Sequence, residues 1–252
     1  EISCSLVGSE MCIRDRNHSG LRTEQIDRIS PHCVVGQCTA EGLGDWFHKF
    51  STQASSNYGI DRNGRVGLYV EEKNRSWCTS SNANDQRAVT IECASDKAEP
   101  YAMHQVVYDR LVDLCEDICR RNGKKKLLWF GDKNKSLNYQ PKADEMLITV
   151  HRWFANKSCP GDWLYARLDD LAAKVTSRLG SGNVEVIPSG MQAGEFQGLT
   201  EEQVLAKVGP LFSTDQKKSG ILASVSMAQF ILESGYGKSC LLYTSPSPRD
   251  CS

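Results

Sequence analysis

The stretch His151-Arg-Trp-Phe-Ala-Asn-Lys157-Ser-Cys159-Pro-Gly161 constrains this chain more than any other. It sets a histidine, a lysine and a cysteine within nine residues and opens the last strongly amphipathic helix of the main domain. Imidazole nitrogen and thiolate sulfur are both good zinc ligands, at short fixed distances. Two ligands do not make a site. The fold must therefore deliver at least one more from a distant part of the chain.

Both ends of the chain look foreign to that fold. Leu6–Arg16 and Cys240–Arg249 can be back-translated to the two complementary strands of one DNA segment, which resembles a sequencing-library adapter. Residues 1–16 and 240–252 are expected to derive from it and are set aside, as a fusion scar would be. The true N-terminus is expected to be missing. Of eleven cysteines, seven then remain, at 33, 38, 78, 93, 115, 119 and 159. An odd number without a visible signal peptide argues against a disulfide framework and for buried thiols plus one ligand in a chain made in a reducing cytoplasm. A net charge of −1 leaves no electrostatic footprint for nucleic acid, and no apolar run reaches the roughly twenty residues of a membrane span.

Residues 17–24 read as a loop. Ile26 to Val35 reads as a strand, with Pro31 suggesting an edge or a bulge. His32 lies in it, and a lone histidine there is more often a hydrogen-bonding residue than a ligand. Residues 39–53 look helical, with Leu43, Trp46, Phe47 and Phe50 as core and His48 exposed. Asp61-Arg-Asn-Gly64 between two short β-rich runs signals a hairpin. Ala88 to Ala94 alternates, with Val89, Ile91 and Cys93 on one face and Thr90 and Glu92 on the other. Glu92 then either lies on a solvated sheet face or is a general base facing a cleft. Residues 100–122 form a helix whose stripe is Val107, Leu111, Leu114 and Ile118, with Cys115 and Cys119 in the core. Residues 127–130 and 147–150 are further strands, and 131–145 is expected to be a mobile polar loop near the site. An amphipathic helix follows Pro160-Gly161-Asp162. The predicted fold class is α/β, a mixed central sheet flanked by helices, plus a short helical C-terminal fragment.

With these residues in place, residues 17–180 resemble a type 2 N-acetylmuramoyl-L-alanine amidase, the zinc amidase family that includes peptidoglycan recognition proteins and many phage endolysins. The resemblance lies in Ser30–Gln37, Ser55–Ile60, Arg75–Ser80 and, most specifically, the His-x5-Lys-x-Cys-Pro-Gly spacing of His151–Gly161. It implies zinc held by His32, His151 and Cys159, with the fourth position left for water. It also implies Glu92 as the general base and Lys157 as the stabiliser of the oxyanion. The bond cut would join N-acetylmuramic acid to L-alanine in peptidoglycan, by action on the cell wall. One departure stands out: many relatives carry histidine where this chain has Cys78. The rival expectation is a non-catalytic peptidoglycan-binding module on the same fold. Such relatives commonly lack the cysteine ligand, so Cys159 favours the enzyme.

Residues 181–199 read as a polar linker. Thr200 to Val208 is a predicted short helix, and residues 200–239 resemble the start of an endo-β-N-acetylglucosaminidase domain with Glu233 at its acid position. Glycoside cleavage needs a second carboxylate or its equivalent, so this piece is expected to be a truncated, inactive fragment. Two joined wall-cutting modules lean toward a phage origin; host, wall chemotype and oligomeric state are not legible.

Overall fold

The computed structural model describes residues 9–12, 17–180 and 198–219. The chain divides into two compact units, residues 1–183 and 184–252. The first holds a seven-stranded sheet in the order β1-β5-β4-β7-β3-β9-β8. Its strands are β1 (Ser9–Cys12), β3 (Arg28–Cys33), β4 (Tyr58–Ile60), β5 (Val66–Leu68), β7 (Ala88–Cys93), β8 (Lys126–Leu128) and β9 (Glu145–Ile148). Every pairing is parallel except the β4–β5 hairpin. A separate antiparallel pair joins β2 (His18–Leu21) to β6 (Asn74–Ser76), so part of the expected loop at 17–24 is a strand. Ser9–Cys12 lies within the segment expected to derive from the adapter. It pairs with the outer edge of β5, whose unpaired backbone groups accept any extended segment.

Pro31 stands in a central strand, not at an edge or a bulge: β3 keeps an unbroken register with β7 from Arg28 to Cys33. Parity explains why this is tolerated. The N–H groups of Arg28 and Val34 both point toward the β7 side, which turns the nitrogen of Pro31 toward β9. The β3–β9 ladder stops at Ile29, so the missing N–H of Pro31 breaks no ladder bond.

Helices cover both faces. The expected helix stripe is seated in α3 (Gln105–Arg121), where Val107, Leu111, Leu114 and Ile118 are fully buried. Each such side chain contributes roughly 1.5–3 kcal/mol. α3 packs on Tyr58, Ile60, Val89, Ile91 and Cys93, together with α6 (Leu168–Gly180), which buries Leu168, Leu171 and Val175. On the other face lies α1 (Ala40–His48), anchored by Leu43 and Phe47 against Tyr69. Trp46, expected in the core, is instead exposed because α1 touches the sheet along a narrow stripe. Phe50, also expected there, is exposed because α1 ends at His48 and a separate 3-10 turn, Phe50–Thr52, follows. Gly59 and Gly67 are register partners beneath it, and a Cβ on either would fall within 2.7 Å of the Tyr69 ring. Three short helices complete the unit: α2 (Asn82–Asp85), α4 (Lys133–Asn138) within the expected polar loop, and α5 (Asp162–Tyr165).

In the second unit α7 (Glu201–Ser219) starts with a reciprocal cap. Gln203 N–H donates to Thr200 Oγ1, and Thr200 N–H donates to Gln203 Oε1. The helix runs through Pro210, past the predicted end at Val208. Residues 240–252, most of the 181–199 linker, and Glu233 lie outside the described residues.

Candidate metal centre

The sheet register brings the first two candidates together. His32 on β3 pairs with Glu92 on β7, and Glu92 pairs with Gly59 on β4, so all three stand in one row facing the α1 side. His32 Nδ1 lies 3.8 Å from Glu92 Oε1. β7 is a central parallel strand, and the Glu92 side chain, 17% exposed, stands at a cleft in a largely covered face and not on an open one. Neighbouring Thr90 is fully buried within a network of Asn57, Ser56 and Ser76.

The other candidates arrive from beyond β9. His151 begins a single 3-10 turn, His151–Trp153. The following loop folds back so that Arg152 N–H donates to the carbonyl of Cys159 (3.1 Å) and Lys157 N–H to that of Ala155 (2.8 Å). Arg152 also pairs with Asp162 at 3.0 Å, fastening the loop to α5. Gly161, at φ 82°, closes it where a Cβ would strike the carbonyl oxygen of Pro100 at 2.8 Å.

These pieces converge. One ligand atom from each of His32, His151 and Cys159 lies within 4.8 Å of the others. His32 Nδ1 is 3.2 Å from Cys159 Sγ, and the two imidazoles are 5.1 Å apart at 55°. Nitrogen and sulfur ligands on one tetrahedral zinc stand about 3.6 Å apart, so the donor set fits such an ion in kind and in spacing. A cleft of about 240 Å³ opens over the set, and Glu92, Lys157, Val35 and Trp46 also line it. The expected polar loop at 131–145 does not.

The electrostatics fit as well. Burial, with His151 beside it, holds His32 well below the usual imidazole range and therefore neutral, as a ligand must be. Burial and then the Lys157 ammonium lower His151. A contact with Cys33, then burial and the Glu92 carboxylate, push the Cys159 thiol well up. A metal would have to displace that proton. Burial raises Glu92 to about 7, against the opposing hydrogen bond from Cys78, whose Sγ is 3.7 Å from Glu92 Oε1. His32 Nε2 and Glu92 Oε2 are buried without a hydrogen-bond partner among the described residues. Such orphaned atoms are costly unless something else satisfies them.

Two contacts here were not legible in the sequence. Ser80, at φ 61°, places its Oγ 2.9 Å from His151 Nε2. In the sequence Cys78 stands out as a departure from relatives, and its reach to Glu92 exists only in the fold. A second set of possible metal donors, His32, Cys78 and Glu92, shares the same imidazole.

A buried row of strand-borne polar groups facing a loop-borne histidine and thiol defines a candidate metallohydrolase centre. The sequence profile of the family described as N-acetylmuramoyl-L-alanine amidase matches residues 22–162. The chain belongs to that family and is a peptidoglycan amidase. No curated protein matches the chain. Similar solved structures include a selenomethionine AmpD derivative, with 16% identity over 68% of this chain and 99% of that one and a TM-score of 0.46. Another is the amidase LysC from Clostridium intestinale, with 11% identity, 65% and 96% coverage and a TM-score of 0.43. The catalytic domain of XlyA shows 12% identity, 65% and 98% coverage and a TM-score of 0.45.

Proposed function

We propose that the chain cleaves the amide between N-acetylmuramic acid and L-alanine of cell-wall peptidoglycan, with zinc held by His32, His151 and Cys159. The observation that carries this is the convergence of those three donors within 4.8 Å, beside a carboxylate and in a family of amidases. Three protein ligands suit a catalytic ion, which keeps one position open, where a structural zinc takes four. When bound, zinc supplies the Lewis acidity that amide hydrolysis at neutral pH requires.

The chain's own groups do the rest. Ser80 occupies Nε2 of His151, which leaves Nδ1 of that ring for ligation. Glu92, one strand from His32, accepts a proton from the attacking water and returns it to the departing nitrogen of L-alanine. Its carboxylate lines the same cleft as the three donors, the placement that such a proton carrier needs. Lys157, on the cleft wall, places its ammonium against the negative charge that grows on the carbonyl oxygen.

Purified cell walls incubated with the zinc-loaded protein should release peptides bearing a new N-terminal alanine, and chelation should stop the release. Peptide release that survives Cys159→Ala would sink the assigned ligand set, and a wild type that binds walls without releasing peptides would leave the wall-binding module.

A further inference from the structure

Two apolar side chains in the cleft take no part in holding metal or moving protons. Val35 and Trp46 line the same cleft as Glu92 and Cys159, and 43% and 50% of their surface is exposed. Exposed apolar residues are ordinary, but the way these two are held is not. Val35 has φ 58°, a left-handed conformation that is a genuine outlier for a β-branched residue. Such strain persists only where neighbours over-determine it. Here they do: Val35 N–H donates to Ser95 Oγ at 3.1 Å, Val34 N–H to the Cys93 carbonyl at 2.9 Å, and Ser95 N–H to the Gly36 carbonyl at 3.1 Å. The clamped turn leaves the isopropyl group at the cleft instead of in the core. Trp46, for its part, is not needed to anchor α1, because Leu43 and Phe47 do that. Its indole is braced from one side by Phe47, at 5.2 Å between ring centres, and open on the cleft.

We propose that Val35 and Trp46 form a saccharide platform, on which the C–H face of the muramoyl ring stacks on the indole while Val35 abuts its methyl-bearing substituents. This rests on the amidase proposal above and assigns the side of the substrate that this wall receives. The stem peptide carries carboxylates and amides, which would lose hydration against an apolar wall that offers no partner. A pyranose presents an apolar face to an aromatic ring and keeps its hydroxyls in water. A rigid indole also orders little on binding.

The test is binding of glycan strands stripped of their stem peptides, followed by calorimetry, with free stem peptide as the second probe. Trp46→Ala should weaken glycan binding about tenfold, the size expected of one well-placed ring contact. Trp46→Phe should recover most of it, and peptide binding should be unchanged. Val35→Gly relieves the left-handed strain, so it should raise the melting temperature by roughly 2 °C while weakening glycan binding. A merely structural Val35 would give the first effect without the second. Glycan binding that is absent in the wild type or intact in Trp46→Ala, or a loss that follows the peptide probe instead, overturns the proposal. Because no bond is cut in this assay, failure of the amidase chemistry would appear separately, as lost turnover with glycan binding preserved.

Discussion

The two halves of the candidate centre are built by opposite means. His32 and Glu92 stand side by side on paired central strands, and each has a buried atom with no hydrogen-bond partner among the described residues. His151, Lys157 and Cys159 ride on a turn and loop that satisfies its own backbone, through Arg152 to Cys159 and Gly161 to Ser158. The strand half is thus rigid and electrostatically costly, with Glu92 raised to about 7 by burial and His32 pushed well down. The loop half is locally content and more exposed. An ion held at His32 Nδ1 and Cys159 Sγ would join the halves, so metal should matter to the fold as well as to the reaction.

The largest effects should come from cutting that joint. His32→Ala and Cys159→Ala should each remove bound zinc and bring amidase activity to background, a loss of roughly ten-thousandfold or more. Zinc content and peptide release measured together check this. Retention of a full equivalent of zinc in either variant would break the division, because it would mean that one half suffices.

Next in size is Glu92→Gln, expected to lower kcat about a thousandfold while zinc stays bound. It has a second, opposite consequence. In the metal-free protein the folded-state pKa of Glu92 lies above its unfolded value of 4.5. The associated stability is therefore complete below about pH 4.5 and is lost as pH rises through about 7. Replacing the carboxylate should then raise the melting temperature of the metal-free protein by several degrees at pH 8 and by little at pH 5. A pH-independent difference would show that the carboxylate carries no burial cost. Lys157→Ala, on the exposed half, should cost about a hundredfold in kcat, with partial recovery in Lys157→Arg.

The same division governs how much could be read from the sequence. The loop half is contiguous, so His151, Lys157 and Cys159 announce themselves by spacing. The strand half is not: His32 is one of five histidines, and nothing local separates it from a hydrogen-bonding residue. Resemblance singled it out; the register partnership with Glu92 exists only once β3 and β7 pair in parallel. Alternation correctly split β7 into two faces but left the Glu92 face undecided, because burial depends on what covers a sheet and not on the strand itself. Pro31 misled for a related reason, since its cost depends on which neighbour its nitrogen faces. Trp46 has helical spacing, yet a helix lying on glycines and one tyrosine buries a stripe too narrow to include it, and the expected helix ends at His48 before it reaches Phe50.

Beside the contact of His32 with Cys159, Ser80 is a second place where the halves touch without metal, and it gives the smallest expected effect. It follows β6, on the strand side, and its hydroxyl holds Nε2 of His151, on the loop side. A partner on the far nitrogen fixes the orientation of a ligating ring, and its removal typically weakens metal affinity about ten- to a hundredfold. Ser80 lies at the surface end of that range, because the bond is solvent-accessible and neutral. Ser80→Ala should therefore raise the zinc dissociation constant by about tenfold, measured by competition with a chelator, and Ser80→Thr should restore it. The loss should appear as sensitivity to chelation before it appears in kcat at saturating zinc. Unchanged competition in Ser80→Ala would mean that the loop orients His151 by itself.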